Sequence, residues 1–149
     1  MPNTILIIDD DSSVRSVFET ILSQDGYRVY SVSSIDDAAK LVASCRIGVY
    51  LIDVGLSGER GDDFAIKTEF DCSVPIIVTG QNVNDDFVAD MFDHGVLFVL
   101  QKPICHRLLI SSVRAAMRIH EIMEQQNRAV KTIEELECLL KGLTNYEGK

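Results

Sequence analysis

Ile5-Leu6-Ile7-Ile8 runs without interruption into Asp9-Asp10-Asp11, and the same pattern returns three more times along the chain. Gly48-Val49-Tyr50-Leu51-Ile52 ends on Asp53. Val74-Pro75-Ile76-Ile77-Val78 ends on Thr79-Gly80, and Val96-Leu97-Phe98-Val99-Leu100 ends on Gln101-Lys102-Pro103. Short apolar runs bounded by turn residues read as buried strands of a parallel sheet. In open α/β sheets the ligand site lies beyond the carboxyl ends of such strands. Four strands therefore deliver carboxylates, a hydroxyl and an ammonium to one edge. That donor set suits a divalent metal and a phosphoryl group.

Helical spacing fills the intervals. Val14, Val17, Phe18, Ile21 and Leu22 share a stripe, with Ser12 or Ser13 placed to cap its start, Asp11 an alternative cap, and Gly26 placed to end it. A short strand from Tyr27 to Val32 leads through Ser33-Ser34 into a helix carrying Ile35, Ala38, Ala39 and Val42. A weaker helical pattern spans Asp62 to Phe70. Phe87, Val88, Met91 and Phe92 mark another helix, which Gly95 should end, and a last helix begins at about Ile104. Strands and helices thus alternate five times, which predicts a doubly wound five-stranded parallel sheet.

A chain of 149 residues with 46% hydrophobic content is long enough to bury a core, and no apolar stretch reaches membrane-spanning length. No basic region precedes a long apolar stretch at the N-terminus, so a cytoplasmic location without a secretory signal is expected. Cys45, Cys72, Cys105 and Cys138 are scattered without a Cys-x-x-Cys pair, which fits reduced thiols. A net charge of -9 argues against this chain gripping nucleic-acid phosphates by itself.

Asp9, Asp10 and Asp53 on one edge would repel one another, and a divalent cation relieves that cost. Magnesium takes oxygen ligands and shares its shell with substrate phosphate. Lys102 supplies a point charge and Thr79 a hydroxyl for phosphoryl oxygens, and a carboxylate is a competent nucleophile towards phosphorus. His94, His106 and His120 lack metal-ligand spacing and read as surface or helix-end residues.

With these residues in place, roughly residues 3–120 resemble a receiver domain of two-component response regulators, the flavodoxin-like (βα)5 modules that accept phosphate from a histidine kinase. In ILIIDDDSSVR, Asp9 and Asp10 match the family's acidic metal-binding pair. In YLIDVGLSGERG, Asp53 matches the phosphoacceptor and Gly61 the glycine closing the next loop. In VPIIVTG, Thr79 matches the hydroxyl, and in QKPI, Lys102 matches the lysine before a usually cis proline, Pro103. The resemblance implies a Mg²⁺ site formed by Asp9, Asp10, Asp53 and the Gly55 backbone carbonyl. It implies phosphoryl transfer through Asp53, Thr79 and Lys102, with Gly55 and Gln81 lining the site. It implies a histidine kinase or phosphotransfer protein as donor, and a signalling protein that catalyses only its own phosphorylation and dephosphorylation. The segments DDDSSVR, GYRV, IDVGLSG and IIVTG resemble the NarL/FixJ type, whose outputs are helix-turn-helix DNA-binding domains. The end of the chain, Gly142 to Glu147, weakly resembles the start of such an output domain.

Ser57 stands where the family usually has proline, and Glu59 and Arg60 replace apolar and acidic residues of that loop. Val99 occupies the place of the aromatic switch residue three before Lys102, while Phe98 should point to the opposite sheet face. These departures keep open a degenerate receiver acting only as a protein-interaction module. The other alternative is a haloacid-dehalogenase-type phosphohydrolase with Asp9 as nucleophile and Asp11 as acid/base, which would leave Asp53 without a role.

Beyond the receiver (1–120), residues 121–149 read as a helical, coiled-coil extension or linker to an output domain. Ile119, Gln126, Ile133 and Leu140 fall at heptad position a, and Ala115, Ile122, Ala129, Leu136 and Leu143 at d. This pattern predicts a parallel homodimer. A helix from Ile104 to Leu143 would be roughly 60 Å long. The competing reading is a helix folded back on its own receiver, which Met123, Val130 and Leu139 permit by widening the stripe.

Overall fold

The protein is described by a computed structural model over residues 3–55 and 74–147. The expected helix Asp62–Phe70, the loop residues Ser57, Glu59, Arg60 and Gly61, and Cys72 lie outside the described residues. The described elements are β1 (Thr4–Ile8), α1 (Ser12–Gln24), β2 (Arg28–Val32), α2 (Ile35–Val42), β3 (Val49–Asp53), β4 (Ile76–Gly80), α3 (Asp85–Asp93), β5 (Phe98–Gln101) and α4 (His106–Glu147). The five strands form one parallel sheet in the order β2-β1-β3-β4-β5. This is the expected doubly wound, flavodoxin-like arrangement. Every residue of β1, β3 and β4 is buried, which is why these strands read as continuous apolar runs rather than alternating ones.

Side chains alternate between two cores. Leu6, Ile8, Tyr50, Ile52, Ile76 and Val78 pack on one face with Ala38 of α2 and Met91 of α3. Ile5, Ile7, Val49, Leu51 and Ile77 pack on the other with Phe18 and Leu22 of α1 and Leu109, Val113 and Ala116 of α4. β5 obeys the same alternation: Val99 packs with the first cluster and Phe98 with the second, as the period of two requires.

β3 and β4 begin at Val49 and Ile76, inside the apolar runs that start at Gly48 and Val74, and β2 and β5 begin later than expected for one shared reason. At the end of α1, Gly26 (φ +94°) donates to the Ser23 carbonyl and Tyr27 to that of Leu22. At the end of α3, Gly95 (φ +88°) donates to Phe92 and Val96 to Met91. Both are glycine C-caps in which the residue after the glycine closes the helix. Tyr27 and Val96 are therefore committed to the caps, and the strands start at Arg28 and Phe98.

The N-cap of α1 is Asp11 rather than Ser12 or Ser13; its carboxylate accepts from Ser13 N at 2.9 Å and Val14 N at 3.4 Å. A carboxylate there also meets the positive end of the helix dipole. In α3, Phe87 and Met91 face the core at i, i+4. Phe92, about 100° further round, is left exposed.

The last helix is continuous from His106 to Glu147, starting two residues later than expected. Arg114 clamps it to α1 through a bidentate ion pair with Asp25, at 3.0 and 2.5 Å. Its inner face is buried as far as His120. Beyond, Ile122, Val130, Ile133, Leu136, Leu139, Leu140 and Leu143 are all exposed, so the tail does not fold back on its own receiver. Among the described residues, no helix is long and apolar enough to cross a membrane. Cys45, Cys105 and Cys138 are free thiols.

Candidate functional site

Parallel register places the polar strand ends side by side. Asp53 ends β3 opposite Thr79 of β4, Val54 N donates to the Thr79 carbonyl at 2.9 Å, and Lys102 N donates to the Gly80 carbonyl at 2.7 Å. Asp9 follows β1, with its own N–H bonded to the Val32 carbonyl at 3.1 Å. Each polar side chain is thus held by the strand ladder.

The side chains converge. Carboxylate oxygens of Asp9, Asp10 and Asp53 lie within 4.8 Å of one another. Lys102 Nζ is 2.8 Å from Asp9 Oδ2 and 3.4 Å from Asp53 Oδ1. Asp9 and Asp53 are buried while Asp10 is exposed, so the cluster has a sheltered base and an open mouth. Asp9 is fixed further by Asp11 N–H, which donates to Oδ1 at 2.9 Å, and by Arg15, whose guanidinium holds the Asp9 carbonyl at 2.7 Å. The cluster borders a pocket of about 390 Å³ that also includes Gly55, Gln81 and Asn82.

Burial and the charge of Asp9 push the Asp53 carboxyl above the usual carboxylate range, against the Gly55 N–H bond and Lys102, which pull the other way. Burial pulls the Lys102 ammonium down. Its hydrogen bond to Asp9 and the two carboxylate charges outweigh that, so its pKa is raised and it stays charged. Two buried carboxylates sharing a single ammonium leave negative charge to be neutralised. Closely spaced oxygen donors of this kind fit a hard divalent cation.

Asp9, Asp10, Asp53, Gly55, Gln81 and Lys102 are brought together as expected from the strand ends. Thr79 is adjacent in register, but its side chain is buried and does not line the pocket. Asn82 was missed by sequence reasoning; it lies one residue past Gln81 in a loop that carries no periodic signal.

The response regulator receiver domain family matches residues 5–114. The chain belongs to this family. Membership sets aside the phosphohydrolase reading. Among curated relatives, the transcriptional regulatory protein AfsQ1 of Streptomyces coelicolor is 31% identical over 79% of this chain and 52% of its own length. The KDP operon regulator KdpE of Escherichia coli is 25% identical over 85% of this chain and 56% of its own. The hydrogenase regulator HoxA of Cupriavidus necator is 26% identical over 84% of this chain and 26% of its own. The chain thus spans about half or less of these relatives, whose names do not speak to the NarL/FixJ subtype. Two solved structures share the fold. The beryllofluoride-activated NtrC4 receiver domain dimer has a TM-score of 0.75 at 21% identity, covering 79% of this chain and 98% of that one. A CheY-like receiver domain protein from Methanospirillum hungatei has 0.74 at 19%, covering 79% and 95%.

Proposed function

We propose that residues 1–120 form a phosphoacceptor domain of two-component signalling, in which Asp53 takes a phosphoryl group from phosphohistidine on a histidine kinase or phosphotransfer protein. The observation that carries this is the Asp9–Asp10–Asp53 cluster with Lys102 in contact with two of its members. An Asp53 carboxylate oxygen attacks phosphorus, the P–N bond breaks, and the imidazole leaves. Lys102 neutralises a phosphoryl oxygen and Thr79 donates its hydroxyl to another. Thr79 must turn outward from its buried position to do so. Asp10, Asp53 and the Gly55 carbonyl would hold Mg²⁺, with Asp9 supporting directly or through water. The ion would supply charge neutralisation at the transferred group.

A largely apolar groove of about 610 Å³, bounded by Val14, Val17, Phe18, Pro103 and Ile104, opens beside Lys102. It is suited to the apolar surface of the donor protein. Residues 121–149 form the dimerising segment, pairing through the exposed heptad seam with a second copy and carrying the signal towards an output domain. A cytoplasmic location follows from this role.

The test is incubation with magnesium and acetyl phosphate, followed by intact mass and mapping of the modified aspartate. One phosphoryl group on Asp53, absent in Asp53→Asn, is expected. Labelling that persists in Asp53→Asn and vanishes in Asp9→Asn would overturn the assignment. No labelling of a folded, magnesium-loaded chain would reduce it to an interaction module.

A further inference from the structure

At the opposite end of β3 from Asp53, the last helix passes the sheet and leaves a cavity of about 350 Å³. Ile47, Tyr50 and Val74 form its apolar wall, and Arg46, Arg128 and Lys131 stand at its rim. His120 projects into this space. Its side chain is only 6% exposed, yet among the described residues neither ring nitrogen has a hydrogen-bond partner. Nε2 lies 3.4 Å from Glu124 Oε1 without hydrogen-bond geometry.

A neutral imidazole carries one donor and one acceptor, and a buried one normally uses them. The orphaned ring asks for a partner that the described residues do not provide. The charge around it indicates which kind. Glu124 receives Arg46 at 2.9 Å and faces Arg128 at 3.9 Å, and Lys131 adds a third positive charge at the rim against this one carboxylate. Most of the Arg46 and Arg128 side-chain surface remains exposed, which leaves their guanidinium groups room to donate further.

We propose that this cavity binds a small organic anion, one carboxylate or phosphate group on a compact apolar or aromatic body. The anionic group takes donors from Arg46, Arg128 and His120, and the body lies against Ile47, Tyr50 and Val74. A large flat anionic surface does not fit this reading, because the group that needs a partner is inside the cavity and not on its rim. The site is independent of the phosphoacceptor reading. Its walls come from both the receiver and the helix that leaves it, so occupancy would fix how the helix is seated.

The full-length chain, labelled with ¹⁵N, is titrated at constant pH and ionic strength with phenyl phosphate, benzoate and inorganic phosphate, and the imidazole resonances are followed. His94 and His106 lie away from the cavity and serve as internal controls. Saturable shifts confined to His120 are expected with phenyl phosphate and benzoate, with inorganic phosphate at least tenfold weaker for want of a body. The same shifts should persist in Asp53→Asn, which separates this site from the phosphoryl pocket. The double variant Arg46→Ser/Arg128→Ser alters two exposed side chains, leaves the fold intact, and should weaken binding at least tenfold. His120 shifts that merely follow a sodium chloride control would overturn the proposal. So would inorganic phosphate binding as tightly as phenyl phosphate, which marks an adventitious ion only, or a double variant that binds like the parent.

Discussion

Replacing Leu136 with lysine tests the proposed pairing of the tail where the structure leaves it most exposed to failure. Leu136 falls at heptad position d and is 54% exposed in the single chain, comparable to Ile122 and Ile133 at 55%. Complete burial of a leucine is worth about 1.5–3 kcal/mol, so the half still exposed carries about 1 kcal/mol. A homodimer loses that twice, about 2 kcal/mol, which weakens the dissociation constant about 30-fold. Two ammonium groups forced towards a shared seam make this a lower bound. Lysine propagates a helix nearly as well as leucine, so the helix itself should survive.

The control is Cys138→Lys. Cys138 lies two residues further on, about 200° round the helix, and the heptad places it away from the seam. Sedimentation equilibrium over a concentration series should show a dimer for the parent and Cys138→Lys, and a curve displaced about 30-fold for Leu136→Lys. Circular dichroism should report equal helicity for all three. Equal displacement by both lysines would refute the heptad register. A parent chain that stays monomeric up to its solubility limit would refute pairing altogether.

Three further outcomes follow from the site. Magnesium chloride should raise the melting temperature of the parent more than sodium chloride at matched ionic strength, by about 2.7 kcal/mol of added stability at a hundredfold excess over its dissociation constant, and far less in Asp53→Asn. In chelator-treated buffer at neutral pH, Asp53→Asn should melt above the parent. The folded-state pKa of Asp53 is raised, so its contribution is favourable when protonated and is lost as pH rises from the ordinary carboxylate range through the folded value. The difference between the two melting curves should therefore shrink on acidification, and a constant gap would show that the carboxylate charge is not its cause. Gly80→Ala should lower the unfolding free energy by about 1–3 kcal/mol, read as a lower denaturant midpoint, since a Cβ there would stand 2.7 Å from Val54 Cγ2 and 3.2 Å from Val83 Cγ2. An unchanged midpoint would mean that Val54 relaxes freely.

The strands and the edge they define were legible because β1, β3 and β4 are buried on both faces, and total burial writes itself as an unbroken apolar run ending on a polar residue. Strand starts were less legible. Tyr27 and Val96 look like strand residues by composition, and only the hydrogen bonds of the glycine caps show that their N–H groups are already committed. The choice between Asp11 and Ser12 or Ser13 as a cap turns on which residue keeps an extended backbone, here Asp11 with ψ 111°, and periodicity does not encode that. The depth of Thr79 was not legible either: it sits inside β4, whose residues are all buried, and it does not line the pocket. His120 carried no signal at all: its neighbours Arg46, Tyr50 and Val74 are distant in sequence and meet only after the sheet has formed. The tail was ambiguous for a sound reason. Met123, Val130 and Leu139 widen the apolar stripe enough to suit either a partner helix or the receiver, and the exposure of Val130 and Leu139 decides against the receiver.

The placement of Val99 and the length of the last helix together bear on how phosphorylation would be read out. An aromatic ring on the Val99 face would pack towards Met91 and Phe87 and could swing when Thr79 moves; valine, with one short branched side chain, has no comparable throw. A different transmission element starts at the site itself. Lys102 bonds Asp9 and Asp53, and only three residues separate it from a helix that continues unbroken to Glu147. That helix is packed against the sheet up to His120 and tied to Arg46 through Glu124, and the part beyond Lys131, its last residue at the cavity, projects about 24 Å at about 1.5 Å per residue. A rotation of about 5° at the packed end would swing the free end sideways by about 2 Å, enough to change how two paired helices cross. Transferring a phosphoryl group to Asp53 changes the charge that Lys102 balances. Under the proposed pairing, the long helix is the element best placed to convert that local change into a different geometry between the two tails.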